Sequence, residues 1–264
     1  MSYIGSPLFF QFDAISRNLG CNTPGSITQY GPNTYFLADD GFYMCDGTNV
    51  MNIGNDKVDE YFYDNMNVSQ QDTISAAIDP IRNIVIWNYP NTNGGRSLLI
   101  YNWLVKKWSS ADTSLEYIVS LASSAFTLEA LDAYGTLDSL PASLDSRVWS
   151  GGKFLLGGAD GAKIATFTGT NATGELVVGE MEFGYNSIVT NGRAQIDNGA
   201  VTMAIASRKE LDDAVTYKST VTQNSDGRCP LRSYGRYHRI KVIPTGTWNH
   251  AISVDVDYTQ SGVR

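Results

Sequence analysis

Apolar and polar residues alternate along much of this chain in short runs, and nearly every run ends at Gly, Pro, Asn or Asp. From Ser26 to Ile53 four β-favouring runs, ITQY, TYFLA, GFYMCD and NVMNI, are divided by Gly31-Pro32-Asn33, Asp39-Asp40-Gly41 and Asp46-Gly47-Thr48. These connectors supply the residues that tight hairpins need for left-handed backbone angles, so neighbouring runs should pair antiparallel as a four-stranded meander. Lys57 to Met66 changes period: Val58, Tyr61, Phe62 and Met66 fall on one face of a short helix, suited to covering a sheet edge. A second meander follows from Ile74 to Ala111, with runs ISAAIDP, NIVIWNY, SLLIYNW and KKWSSAD. Two successive meanders punctuated by aromatic residues suggest propeller blades, whose known repeat periods are about 40 to 50 residues.

Beyond a further strand-like stretch at Leu115 to Ser124, the segment LEALDAYGTLDSLPASLDS reads as a helical or coiled connector. The remainder is again β. RVWSGGKFLLGGADGAKIATFTG gives three short strands, and ELVVGEMEF, AQIDNGAVTMAIASR, YHRIKVIP and HAISVDVDY give longer alternating runs. Tyr237 to Ile243 and Ala251 to Tyr258, joined through Pro244-Thr245-Gly246-Thr247, are expected to form a terminal hairpin on a sandwich-like platform. The fold class expected is therefore all-β: propeller-like blades in 1–124, a connector in 125–146 and a further β region with a terminal hairpin in 147–264.

Composition supports this. At 264 residues the chain has room for a sizeable core, in one large domain or two smaller ones. Charged residues make up only 17% while Gly and Tyr are plentiful, which disfavours long helices and disorder. The formal charge of -8 opposes a protein that grips nucleic acid by charge. No stretch approaches the roughly 18 apolar residues of a membrane span, and Met1 to Asp13 lacks the pattern of a signal peptide. The expectation is a soluble, unprocessed protein without membrane insertion. Cys21, Cys45 and Cys229 are odd in number and far apart, which suits a reducing compartment better than a disulfide framework.

Three stretches together carry a resemblance: PGSITQYGPNTYFLADDGFYMCDGTNVMNIGNDKVDEYFYDN, AAIDPIRNIVIWNYP with LLIYNWLVKKWSSAD, and CPLRSYGRYHRIKVIPTGTWNHAISVDVDYTQSGVR. They resemble the tail accessory or nozzle proteins of short-tailed phages and prophages, including the packaged-DNA stabilisation type. The GFYxxDG and GRYHR runs are the more specific parts. The resemblance implies a virion tail protein, assembled in the host cytoplasm. It would be a subunit of a homo-oligomeric, hexameric ring below the portal and adaptor, in contact with distal tail proteins. Double-stranded DNA would pass through its lumen without sequence-specific binding. No catalytic residue carries over from it, and the lack of a phosphate loop, a GxSxG or an activated cysteine leads to the expectation of a non-enzymatic protein without a cofactor. GSPLFFQFDAISRNLGC would lie further inside a longer chain in relatives, so the sequence reads as a C-terminal portion whose N-terminal blades are absent.

Candidate chemistry is sparse. His238 and His250 fall in the two runs of the expected hairpin, but a metal site needs a third ligand at a recognisable spacing. Asp39-Asp40 precedes Gly41 and reads as turn chemistry before glycosidase chemistry, and Asp212-Asp213 reads as a solvated loop. Gly157-Gly158-Ala159-Asp160-Gly161 lacks a following GK[ST] and reads as a β-turn; no GxSxG is present. Phe36, Phe42, Tyr43, Trp87, Tyr89, Tyr101, Trp103, Trp108 and Trp149 recur at strand positions as core, with sugar stacking or interface anchoring open to any left exposed. The basic cluster Arg228, Arg232, Arg236, Arg239 and Lys241 breaks the acidic background. It is the candidate surface for an acidic neighbouring subunit, ahead of DNA phosphate. The alternative function is a carbohydrate-binding or glycan-cleaving receptor-recognition module, to be marked by a concave cluster of aromatics and carboxylates; a generic interaction scaffold is the third reading.

Overall fold

The computed structural model describes residues 2–7, 9–11, 14–122, 127–132, 135, 136, 139, 143, 154–167 and 171–261. It is mostly antiparallel β-structure and divides into two compact units, Met1–Phe167 and Thr168–Arg264.

The first unit opens with a small pair, β1 (Ser2–Tyr3) and β2 (Phe10–Gln11). The first meander is β3 (Thr28–Tyr30), β4 (Asn33–Leu37), β5 (Phe42–Cys45) and β6 (Val50–Asn52), paired strictly in sequence order. Helix α1 (Asp59–Asn65) follows, with Val58, Phe62 and Met66 buried at the i, i+4 spacing. Tyr61, expected on the same face, is instead 47% exposed, because at i+3 from Val58 it lies on the margin of so narrow a stripe. The second meander is β7 (Ser75–Asp79), β8 (Ile84–Pro90), β9 (Arg96–Asn102) and β10 (Lys107–Thr113), again in order.

β8 explains why these sheets stack. It is buried on both faces, which suits its nearly unbroken apolar run. Val85, Trp87 and Tyr89 point one way, into a core shared with Tyr35, Leu37, Phe42 and Phe62. Ile86 points the other way, with Ala77 and Leu98, against Ile118 and Leu156. Those last two belong to a third sheet of β11 (Tyr117–Ala122), β12 (Phe154–Asp160) and β13 (Lys163–Thr166). The second meander is thus the middle layer of three.

Polar bonds hold the layers in register. Trp87 Nε1 donates to Ser26 O at 2.9 Å, and Trp108 Nε1 to Ile53 O at 3.1 Å. The first strands of the second and third sheets meet through serines: Ser120 Oγ donates to Ile78 O and Ser75 Oγ accepts from Ile118 N, both at 3.1 Å. Asp59 ties α1 to the first sheet. Its carboxylate is nine-tenths buried, accepts from Phe42 N at 3.2 Å, and is pushed above its ordinary pKa chiefly by burial. Gly41 and Gly54 close over it, where a Cβ would fall 2.2 Å and 1.9 Å from its oxygens.

Pairing of β11 with β12 carries residues 154–166 into the first unit, so the division of the chain falls after Phe167 and not at the connector. Of that connector, α2 (Leu128–Leu131) is described; Trp149 and the start of the RVWSGGK run lie outside the described residues. Gly157 and Gly158 are strand residues of β12 and not a turn, which begins only after Asp160. Their missing side chains make room for Leu121 and Leu115, since a Cβ would meet these at 2.3 Å and 2.5 Å.

The second unit is one six-stranded sheet: β14 (Leu176–Val177), β15 (Met181–Ile196), β16 (Ala200–Arg208), β17 (Val221–Thr222), β18 (Cys229–Thr245) and β19 (Ala251–Gln260). β18, 17 residues long, is its spine. One edge pairs with β16 along Tyr237 to Thr245; the other pairs with β14 at Lys241 and Val242 and with β15 from His238 back to Cys229. Inward residues shift from odd (Cys229, Leu231, Ser233) to even (His238, Ile240, Val242) across Arg236-Tyr237. The inner face packs around Val189, Val201, Met203, Ile205, Leu231, Ile240 and Val242.

The expected terminal hairpin does not form. β18 and β19 are separated by β15, and β19 pairs along the far edge of β15. Both edges of the C-terminal half of β18 are already occupied by β16 and β14, so the chain must cross to find a free edge. Asp197 fixes that crossing: its carboxylate accepts from Asn249 N at 2.9 Å and His250 N at 3.1 Å, bonds that hold its pKa below the ordinary range.

Candidate functional site

The outward side chains of β18 form the one basic stripe predicted from sequence. Arg232 and Arg236 point outward in its first half, and Arg239 and Lys241 in its second, after the change of alternation. The structure brings these four residues together along one strand and sets Arg228 just before its start.

A second row, not anticipated, lies beside them. Glu175, Glu180 and Glu182 line the segment that pairs with β18, and each meets a cation. Lys241 Nζ is 2.7 Å from Glu175, Arg239 Nη2 is 3.7 Å from Glu180, and Arg236 Nη2 is 2.7 Å from Glu182. Glu180 is also gripped by Arg208 of β16, whose guanidinium donates to both its oxygens in a fork. That grip, ahead of the charge of Arg239, holds the Glu180 carboxyl below its usual range and pushes Arg208 up. Arg236 is raised in the same way by its bond to Glu182. Arg228 lies 3.9 Å from Asp257. Lys241 also stacks 4.7 Å from the ring of Tyr217.

Among the described residues only Arg232 of the five makes no ion pair. It sits at φ 42, and its carbonyl accepts from Lys218 Nζ at 3.1 Å. The stripe is therefore a ladder of opposite charges and not a free positive surface. Pairing register creates it: Leu176↔Val242 and Glu182↔Tyr237 bring each glutamate beside a base more than 50 residues away in sequence.

Net charge follows the same division. Residues 168–264 hold ten Lys+Arg and ten Asp+Glu, whereas residues 1–167 hold nine against seventeen. The whole acidic excess of -8 lies in the first unit.

The two histidines are not brought together. His250 is exposed in the loop before β19, while His238 is fully buried in β18. His238 Nε2 lies 2.8 Å from Ser187 Oγ and Nδ1 lies 2.8 Å from Ser207 Oγ, so one ring nitrogen donates and the other accepts. Burial pushes its pKa down. A serine beside a histidine invites nucleophilic chemistry, but the hollow lined by Ser207 has essentially no volume for even one water. Burial raises the Cys229 thiol, the direction opposite to activation.

The other candidates are structural. Asp40 accepts from Tyr43 Oη at 2.8 Å, and Asp213 accepts from the amides of Lys209 and Glu210 within its loop. Trp87, Tyr89, Phe42 and Tyr101 lie in the core, with Trp103 and Trp108 packed against it. Phe36 and Tyr43 stack on each other at 6.0 Å. Among the described residues no three His, Cys, Asp or Glu side chains gather as metal ligands, and no helix is long and apolar enough to cross a membrane. No protein-family model matches this chain, and no curated protein matches it by sequence.

Proposed function

We propose that the chain is a non-enzymatic structural subunit of a phage tail: part of a hexameric ring of the nozzle type, which retains genomic DNA below the portal and conducts it during ejection. In this reading the three sheets of the first unit are successive propeller blades, and the second unit is a sandwich-like platform. The observation that carries it is the stacking. Three consecutive antiparallel sheets, each built in sequence order, pack face to face with the doubly buried β8 at their centre. Such an arrangement builds a wall and leaves broad faces for neighbours.

Charge fits a conduit. A first unit carrying the entire acidic excess repels phosphate, and in the second unit Arg208, Arg236, Arg239 and Lys241 are paired with glutamates, so a duplex would slide past with few counterions to release. The carbohydrate reading gains little from the candidate aromatics, since Phe42, Trp87, Tyr89, Tyr101, Trp103 and Trp108 lie in or against the core.

Electron cryomicroscopy of the chain bound to a tail with its portal and adaptor tests this directly. A six-fold ring coaxial with the portal, with acidic side chains of the first unit facing the bore, is the expected result. A position at the tail periphery, or tight binding of linear duplex DNA at physiological salt, would refute it.

A further inference from the structure

The second unit has an open side. Leu176, Val178 and Val242 on one part of the sheet face Ala194, Ile196 and Val254 on another across an apolar cleft of about 360 Å³. Trp248, in the loop joining β18 to β19, lies over Gly174, where a Cβ would fall 3.0 Å from its Cζ2.

Among the described residues of the second unit, the lip of the cleft is an unpaired strand edge. β19 ends the sheet order and, among the described residues, pairs only with β15. Asp257 O accepts from Thr190 Oγ1 at 3.0 Å and Ser261 N donates to Asn186 O at 2.9 Å, both toward β15. Alternation then directs the N–H and C=O groups of Val254, Val256 and Tyr258 to the open edge. Ten residues long, β19 has no Pro, Lys or Arg, the usual protections of an exposed edge. Ile252, which lines the cleft, is 77% exposed.

We infer that β19 is a docking edge for an extended strand of a partner polypeptide whose side chains alternate apolar and basic. The apolar row would enter the cleft beside Ile252 and Val254, extending the inner face. The opposite row would stand next to Asp255 and Asp257, which are exposed on the outer face of β19 and meet only Gln195 Nε2 at 2.6 Å and the exposed Arg228 at 3.9 Å among the described residues. The same two carboxylates argue against a second copy of this chain. Antiparallel pairing of two β19 edges in its three central registers sets Asp255 or Asp257 directly opposite one of their own kind, which is destabilising. The inference rests on the second unit alone and is independent of the tail reading.

The test uses the full chain and a synthetic acetylated peptide alternating valine and lysine over seven residues. The expected result is saturable binding that slows amide hydrogen exchange at Val254, Val256 and Tyr258. Methylating the backbone nitrogens on one edge of the peptide, which leaves the protein untouched, should weaken binding at least ten-fold. Combining Asp255→Lys with Asp257→Lys should weaken it similarly and transfer preference to a valine–glutamate peptide. Equal affinity of the methylated peptide, protection elsewhere, or self-association of the wild-type chain through β19 would each overturn the proposal.

Discussion

Acidification should loosen the second unit through one residue. His238 is fully buried and held neutral between Ser187 and Ser207, with its pKa lowered by loss of hydration. In the unfolded chain it titrates near the ordinary 6.5. Between the depressed folded value and 6.5 the unfolded state binds the extra proton, so stability falls as pH falls. The contribution is complete above 6.5 and is lost progressively below it. Each unit of pH in that window is worth about 1.4 kcal/mol, so moving from pH 7.5 to 5.5 removes roughly that amount if the folded imidazole stays neutral throughout. Glu180, the carboxylate of the neighbouring ladder, is held low by Arg208 and stays ionised over this range. Hydrogen exchange of segments covering β16 and β18, corrected for intrinsic rates, reads the loss as about a ten-fold drop in protection. His238→Gln keeps polar atoms between the serines and should flatten the dependence while leaving His250 in place. Equal pH slopes for wild type and His238→Gln, or a stability that rises on acidification, would refute the reasoning.

Other outcomes follow from the charge ladder and the glycine clamp. Replacing Glu175, Glu180 and Glu182 together by Gln unmasks Arg236, Arg239, Lys241 and Arg208, and should confer salt-sensitive retention on immobilised duplex DNA that the wild-type chain lacks. If the triple variant flows through like wild type, the glutamates are not what neutralises the stripe. Gly54→Ala places a Cβ against the Asp59 carboxylate and displaces it from Phe42 N, so thermal unfolding should show the first unit destabilised by about 1 to 3 kcal/mol. An unchanged melting temperature would mean that Asp59 does not hold α1 to the first sheet.

What could be read from sequence was local. The eight strands of the two meanders follow from alternation and turn residues, because each strand pairs with its immediate neighbour. β8 was legible as a strand in NIVIWNY, but its burial on both faces comes from the two sheets that stack against it. Tyr237 to Ile243 and Ala251 to Tyr258 were legible as strands, but their partners were not, since occupancy of the β18 edges depends on β14 and β16, which lie well upstream. The basic stripe was legible only in part for the same reason. Its cations were visible as a cluster, whereas the glutamates that cancel them sit in the separate run ELVVGEMEF and reach them only through the register of the sheet. His238 carried no signal at all in its own run; its two serines come from β15 and β16.

The late position of β18 in the chain sets the order of folding. In the first unit each meander can close hairpin by hairpin as it leaves the ribosome. In the second, β14, β15 and β16 share their common neighbour only once residues 229–245 have emerged, and β19 must then join β15 some 65 residues upstream, as in Val254↔Ala194 and Tyr258↔Val189. Distant pairing closes slowly. Refolding followed by pulsed hydrogen exchange should therefore show two phases, the amides of residues 28–113 protected first and those of residues 176–260 later. Simultaneous protection would mean that connectivity does not govern the rate. During synthesis, the uncovered edges of β14 to β16 are the stretch that a chaperone would have most reason to hold.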